Sequence, residues 1–146
     1  MIPDYTPMGL LPEGIHPATW TEIEQKFGTN IPRRMLLNGL NNGIYNLKNA
    51  GCKEIFIDGS FVTEKEFPND YDCCWEVTGV DPNKLDPILL NFEDKRMMQK
   101  LKYRGEFFPS NMRAIAGKTY LEFFQIDKLT GSPKGIISLK LGGIIL

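Results

Sequence analysis

The sequence predicts an α+β or mixed α/β domain in which helices cover one face of a small sheet. Three observations predict it. The chain has 146 residues, room for one hydrophobic core and no second one. Helix-period segments dominate its first half and strand-period segments its end. The repeated βα units of a doubly wound dinucleotide fold do not fit this length. With 42% hydrophobic and 24% charged residues, the chain can both fill a core and cover it, which speaks against whole-chain disorder.

The opening MIPDYTPMGLLPEGIHP is rich in proline and glycine and lacks a periodic pattern. Residues 1–16 are therefore expected to form an extended arm laid over a single domain spanning 17–146. In ATWTEIEQKFG, Trp20, Ile23 and Phe27 recur at helical spacing, with Thr19 as N-cap and Gly28 as stop. IPRRMLLNGLNNGIYNLKNAG is the longest helical pattern, carried by Leu36, Leu40, Ile44 and Leu47 and closed by Gly51. Gly39 and Gly43 inside it lower helix propensity by up to about 1 kcal/mol each. Two readings fit them equally: tolerated glycines, or a face that a neighbouring element approaches closely.

CKEIFID switches to a period of two, placing Ile55 and Ile57 on one face and Phe56 on the other, and the chain then turns at Gly59. YDCCWEV reads as a second short strand after the linker SFVTEKEFPND. DPILLNFEDKRMMQKLKYRG predicts a helix over 86–102, opened by Asp86 and Pro87 and carrying Ile88, Leu89, Phe92, Met97, Met98 and Leu101. KTYLEFFQI and GIISLKL read as two strands, joined as a hairpin through DKLTGSPK. Packing is the expected role of Trp20, Leu36, Leu40, Phe56, Trp75, Phe92, Leu121 and Phe123. The closing GGIIL either tucks into the sheet or forms a homotypic interface.

Charge and cysteine usage exclude several function classes. Seventeen basic against 18 acidic residues give a net charge of -1, so no uniformly basic face dictates a nucleic-acid partner. Arg33, Arg34, Lys95, Arg96, Lys100, Lys102 and Arg104 form either local phosphate-binding patches or solvated helix faces. Cys52, Cys73 and Cys74 make a poor disulfide framework and point to a reducing compartment. No basic leader with an apolar run opens the chain, and no segment reaches the roughly 18 apolar residues of a membrane span. The expectation is a cytoplasmic protein with no membrane association. A single histidine, His16, and cysteines without ligand spacing argue against structural zinc. Any metal should be a hard cation held by oxygen.

The chemistry concentrates in DGSFVTEKEFPNDYDCCWEV, residues 58–77. Asp70 and Asp72 are one residue apart, so on a strand their carboxylates share a face while Tyr71 points away. Two like charges so placed repel, and Mg²⁺ between them relieves the repulsion and supplies a Lewis acid for phosphate chemistry. Gly59 and Ser60 follow a strand, where exposed backbone N–H groups and the Ser60 hydroxyl can meet phosphate oxygens. Thr63 is expected to cap a short helical turn. Lys65 either neutralises phosphate or is simply solvated.

Gly59 and Ser60 followed by Asp70 and Asp72 resemble the signature of the nucleotidyltransferase superfamily, which includes DNA polymerase beta and the minimal nucleotidyltransferases. LPEGIHPATWTEIEQKFG, AGCKEIFIDGSFVTEKEFPNDYDCCWEV, GEFFP and FFQIDKLTGSPKGIISL, together most of the chain, resemble smaller bacterial and phage proteins of that fold. The resemblance implies a nucleotidyltransferase-like small mixed sheet covered by helices. It further implies that Gly59 and Ser60 contact nucleotide phosphates, and that Asp70 and Asp72 bind Mg²⁺ with a third acid from a later strand. Two residues are equal candidates for that acid, Glu106 in GEFFP and Glu122 in KTYLEFFQI. Glu76 shares strand parity with Asp72 but lies too far along. The superfamily more often has Asp at the third position and a small or basic residue soon after the serine, where this chain has Phe61.

The implied activity is metal-dependent transfer of a nucleotide from an NTP to a hydroxyl on a protein or RNA acceptor. Related toxin–antitoxin and phage-defence proteins include both enzymes and non-catalytic partners, so an interaction or antitoxin partner protein is the alternative. A glycosyltransferase with the same acid spacing needs a longer chain. A metal nuclease would need a later Glu-x-Lys, whereas EKE at residues 64–66 precedes the acids.

Overall fold

The computed structural model describes residues 1–142. The expectation for GGIIL, all but its first residue, lies outside them. The fold is mixed α+β. Strands β1 (Gly14–Pro17), β2 (Glu54–Asp58), β3 (Tyr71–Trp75), β4 (Gly105–Pro109) and β7 (Gly135–Lys140) form one sheet in the order β1-β7-β2-β3-β4. β2 runs antiparallel to both neighbours, while the outer pairs β1/β7 and β3/β4 are parallel. β5 (Arg113–Ile115) and β6 (Lys118–Thr119) make a separate small ribbon. No described helix is long and apolar enough to cross a membrane.

Helix α1 (Trp20–Phe27) starts where expected, with a capping box in which the Glu22 amide donates to Thr19 Oγ1 and Glu22 accepts from the Thr19 amide. Helix α2 (Ile31–Asn49) is capped by Asn30, and Gly51 follows it in the left-handed region at φ 99°. The glycines of α2 answer the question their spacing raised. A Cβ on Gly39 would lie 2.0 Å from the Tyr103 carbonyl oxygen, and one on Gly43 would lie 2.5 Å from the Phe107 ring. Close approach is what they permit, and it seats β4 against α2.

The sheet separates two apolar clusters. Ile55, Ile57, Cys73 and Phe107 face the larger one, which α1 and α2 cover with Ile23, Phe27, Leu40, Ile44 and Leu47. Phe56, Cys74, Phe108 and Ile136 face the smaller one. Helices therefore lie on both faces, where the sequence suggested one. The second cover is α4 (Tyr120–Phe124), a short helix within the segment KTYLEFFQI that reads as a strand. Thr119 and Glu122 form a capping box, and Tyr120 packs against Phe123 and Phe124 one turn on, at ring separations of 6.4 Å and 6.0 Å. Aromatic density mimicked strand propensity there. The expected hairpin reduces to one bridge, Ile126 to Pro133.

Two further expectations change, and one strand appears in a segment the sequence left unassigned. Residues 1–16 are not merely an arm, because Gly14–Pro17 is an edge strand paired in register with Gly135–Ser138. GEFFP is a full strand, its two phenylalanines facing opposite clusters. The helix expected over 86–102 is divided: a 3-10 turn at Pro87–Leu90, then α3 (Glu93–Tyr103). Gln99 and Tyr103 are its buried side, while Met97, Met98 and Leu101 remain exposed. At its start Asp94, Lys95 and Arg96 have left-handed backbone, φ 49°, 56° and 62°, at a cost of roughly 1–2 kcal/mol per residue.

Candidate active site

Strand register builds the site. Asp58 at the end of β2 lies opposite Asp72 on β3, and Asp72 lies beside Glu106 on β4. Cross-strand partners share a face, so the three acids stand in a row on the α4 side of the sheet. Asp70, just before β3, joins the row from the chain end. One carboxylate oxygen each from Asp70, Asp72 and Glu106 lie within 4.8 Å of one another.

Gly59 brings the turn after β2 against this group. Its φ of 89° suits glycine, and a Cβ there would come 2.9 Å from Asp72 Oδ2 and 3.2 Å from the Asp72 amide nitrogen. Ser60 then starts a single 3-10 turn, Ser60–Val62. Thr63 caps that turn at its end, as its hydroxyl donates to the Ser60 carbonyl at 2.6 Å.

Arg33 fixes the segment that follows. Read from sequence as a phosphate-patch or surface residue, it is buried, and its guanidinium donates to the carbonyls of Phe27, Phe61, Thr63 and Lys65 at 3.2, 2.6, 2.8 and 2.5 Å. Five N–H donors in a planar fork make arginine suited to gathering several carbonyls. Helix α2 thereby holds the loop that carries the chain from Ser60 to Asp70.

The acids crowd one another and are only partly neutralised. Burial first, then the hydrogen bond and charge of Glu106, push the Asp72 carboxyl well above the ordinary carboxylate range. For Glu106 burial acts upward too, but hydrogen bonds from Asp72 and Arg96 outweigh it and hold the group low. Burial thus favours the neutral form of Asp72, while the neighbouring donors favour the ionised form of Glu106. Burial and the Glu106 charge also raise Asp70, against Lys100, Lys128 and Lys65. Arg96 contacts Glu106 Oε1 through Nε and Nη2, both at 2.6 Å, and Lys100 stands 3.8 Å away. An oxygen-only set of three acids whose carboxylate oxygens lie within 4.8 Å of one another fits a hard divalent cation such as Mg²⁺.

The acids open onto a cleft of about 370 Å³ whose opposite wall is Phe123, Phe124 and Ile126. Gly59, Ser60, Thr63, Asp70, Asp72 and Glu106 all line it. Two expected residues do not. Glu122 is exposed on α4 and its carboxylate accepts from the Thr119 amide at 2.9 Å, so the choice between the two late glutamates falls to Glu106. Lys65 is exposed outside the lining and acts on Asp70 through its charge alone.

The chain belongs to DUF6932, a family of unknown function, which matches residues 3–140. The DUF6932 match runs from the N-terminal segment to the last residue of β7, so it takes in every element that borders the cleft. No curated protein and no solved structure matches the chain.

Among the cleft residues that sequence reasoning missed, Asp58 and Lys134 form an ion pair. Asp58 directly precedes Gly59 and carried a local signal. Lys134 did not: it sits 76 positions away in sequence, and only the β2/β7 pairing brings the two together.

Proposed function

We propose that this chain transfers a nucleotide from an NTP to a hydroxyl-bearing protein or RNA acceptor, using Mg²⁺. The observation that carries the reading is the meeting of Asp70, Asp72 and Glu106 within 4.8 Å, with Gly59 packed on Asp72. That order of residues is the one in which the sequence resembles nucleotidyltransferases. Asp70, Asp72 and Glu106 would hold the cation, which when bound supplies Lewis-acid stabilisation of phosphate charge and lowers the pKa of an attacking hydroxyl.

The chain's own residues contribute positioning. Gly59 leaves the backbone free to lie against the acids, so that the Ser60 hydroxyl and neighbouring amides can donate to phosphate oxygens. Arg33 keeps that loop in place from behind. Phe123 and Phe124 form an apolar wall that excludes water and suits a nucleobase. Arg96 holds Glu106 in the row and limits its motion. No catalytic histidine is needed, and His16 is accounted for by its contact with the Pro12 carbonyl. The three cysteines are all free and buried, in keeping with a cytoplasmic location.

The Arg96–Glu106 contact favours a second reading, a non-catalytic interaction protein or antitoxin/phage-defence partner that keeps the acids as a neutralised surface. One experiment separates the two. Purified protein is incubated with Mg²⁺ and α-labelled NTPs, alone and with RNA, alongside Asp70→Ala. Label transferred by the wild type and lost in Asp70→Ala supports the enzyme. Absence of both Mg²⁺-NTP binding and transfer, with partner association surviving loss of Asp70, overturns it in favour of the second reading.

A further inference from the structure

Lys134 has no place in the acid row, yet its side chain is only 12% exposed and it lines the cleft. Its ammonium donates to Asp58 Oδ1, and the Asp58 side chain is 7% exposed. Desolvating such a pair costs about what its attraction returns, so stability alone does not explain it. The backbone around Lys134 is held from three sides. Its amide donates to the Gln125 carbonyl at 2.9 Å and the Gly135 amide to the Leu11 carbonyl at 3.1 Å. A Cβ on Gly135 would lie 2.0 Å from the Pro12 carbonyl oxygen. The N-terminal segment thus clamps the stretch that presents this lysine.

The charge around the cleft gives the lysine a task. Asp58, Asp70, Asp72, Glu106 and Asp127 line it, against Lys128 and Lys134. Lys128 is exposed, its ammonium 5.6 Å from the centre of the Phe123 ring. Lys134 is the half-buried cation of the two, and without it the inner cleft would repel any anionic substrate.

We propose that Lys134 is a polyphosphate-contacting residue of the cleft, held on Asp58 until a phosphate oxygen takes the carboxylate's place. This rests on the reading of the cleft as a nucleoside triphosphate site. Asp58 competes with substrate for one ammonium, so the two members of the pair act on binding with opposite signs. A pair that only braced the fold would act with one sign, because losing either partner would loosen the same region.

The test is titration of the full chain with inorganic tripolyphosphate in Mg²⁺, and separately with Mg²⁺ alone. The variants are Lys134→Met, Asp58→Asn and the double variant. Lys134→Met is expected to weaken tripolyphosphate by about tenfold or more, the loss of one charge-assisted hydrogen bond, while Mg²⁺ alone still binds. Asp58→Asn is expected to tighten tripolyphosphate. If Lys134→Met does not fold because Asp58 is left buried without a counter-ion, the double variant, neutral at both positions, must show the same loss. Unchanged affinity in the lysine variants, or weakening by Asp58→Asn equal to that of Lys134→Met, overturns the assignment. Wild type that binds Mg²⁺ but not tripolyphosphate also overturns it and leaves the metal centre standing. Lysine-dependent tripolyphosphate binding without any Mg²⁺ affinity upholds Lys134 and removes the nucleotidyl-transfer reading instead.

Discussion

Replacing Asp72 with asparagine should make the metal-free protein more stable while abolishing its response to Mg²⁺. Asp72, Asp70 and Glu106 place carboxylate oxygens within 4.8 Å, a spacing at which each fully ionised pair repels by about 3 kcal/mol for an effective dielectric of about 20. The raised pKa of Asp72, which favours its neutral form, and the Arg96 contact to Glu106 offset much of that cost. Partial exposure screens the remainder. The net gain from Asp72→Asn at neutral pH is therefore about 1 kcal/mol, or roughly 3 °C in Tm for a domain of this size. The sign with pH follows from linkage. Because the folded pKa of Asp72 is raised above its ordinary 3.8, its contribution is most favourable below that value and is lost as pH climbs through the folded pKa. The stability gap between variant and wild type should widen from acid to neutral pH. Urea denaturation in EDTA across that range measures it, and thermal melts with added Mg²⁺ measure the metal response. A variant less stable than wild type, a gap that narrows with pH, or equal stabilisation of both proteins by Mg²⁺ would refute the reasoning.

Gly59→Ala puts a methyl 2.9 Å from Asp72 Oδ2 at a φ of 89°; it should cost roughly 1–3 kcal/mol and weaken Mg²⁺ binding, as read by calorimetry. Arg33→Met strips a charged donor from four carbonyls and should destabilise by about 3–5 kcal/mol, seen as a lower urea midpoint. Glu122→Ala removes half of a capping box and should cost about 1 kcal/mol with Mg²⁺ affinity intact, whereas Glu106→Ala should lose that affinity. Equal Mg²⁺ binding by those last two variants would remove Glu106 from the site.

The parts of this site that were legible in sequence are those written in consecutive residues. The turn at Gly59, the spacing of Asp70 and Asp72, and the period-two alternation of Ile55, Phe56 and Ile57 each follow from local geometry, and each is present. What was left unassigned or misread depended mostly on partners distant in the chain. GEFFP is too short to announce itself, and becomes a strand because Tyr71–Trp75 offers it a parallel edge. Arg33 looks like any helix-surface arginine until residues 61–65 fold over it. KTYLEFFQI went wrong for a local reason, since Thr119 and Glu122 spell a helix start that the aromatic run outweighed.

The two faces of the sheet are built to different standards, and the difference bears on function. On the α1/α2 face, Ile55, Ile57, Cys73 and Phe107 pack into a continuous apolar core. The other face carries three acids with carboxylate oxygens within 4.8 Å of one another, a largely desolvated Asp58–Lys134 pair, and Arg96, itself in left-handed backbone, held against Glu106. The acids and the ion pair cost free energy that apolar packing would recover, and the left-handed backbone adds strain of its own. They converge on one cleft, although the acids lie on separate strands and Lys134 precedes the last. Costs gathered at one opening support the proposal that a ligand supplies the missing interactions there. A divalent cation would answer the acids and a phosphate would answer the lysine. Neither would be enough alone, and an Mg²⁺-bound polyphosphate presents both.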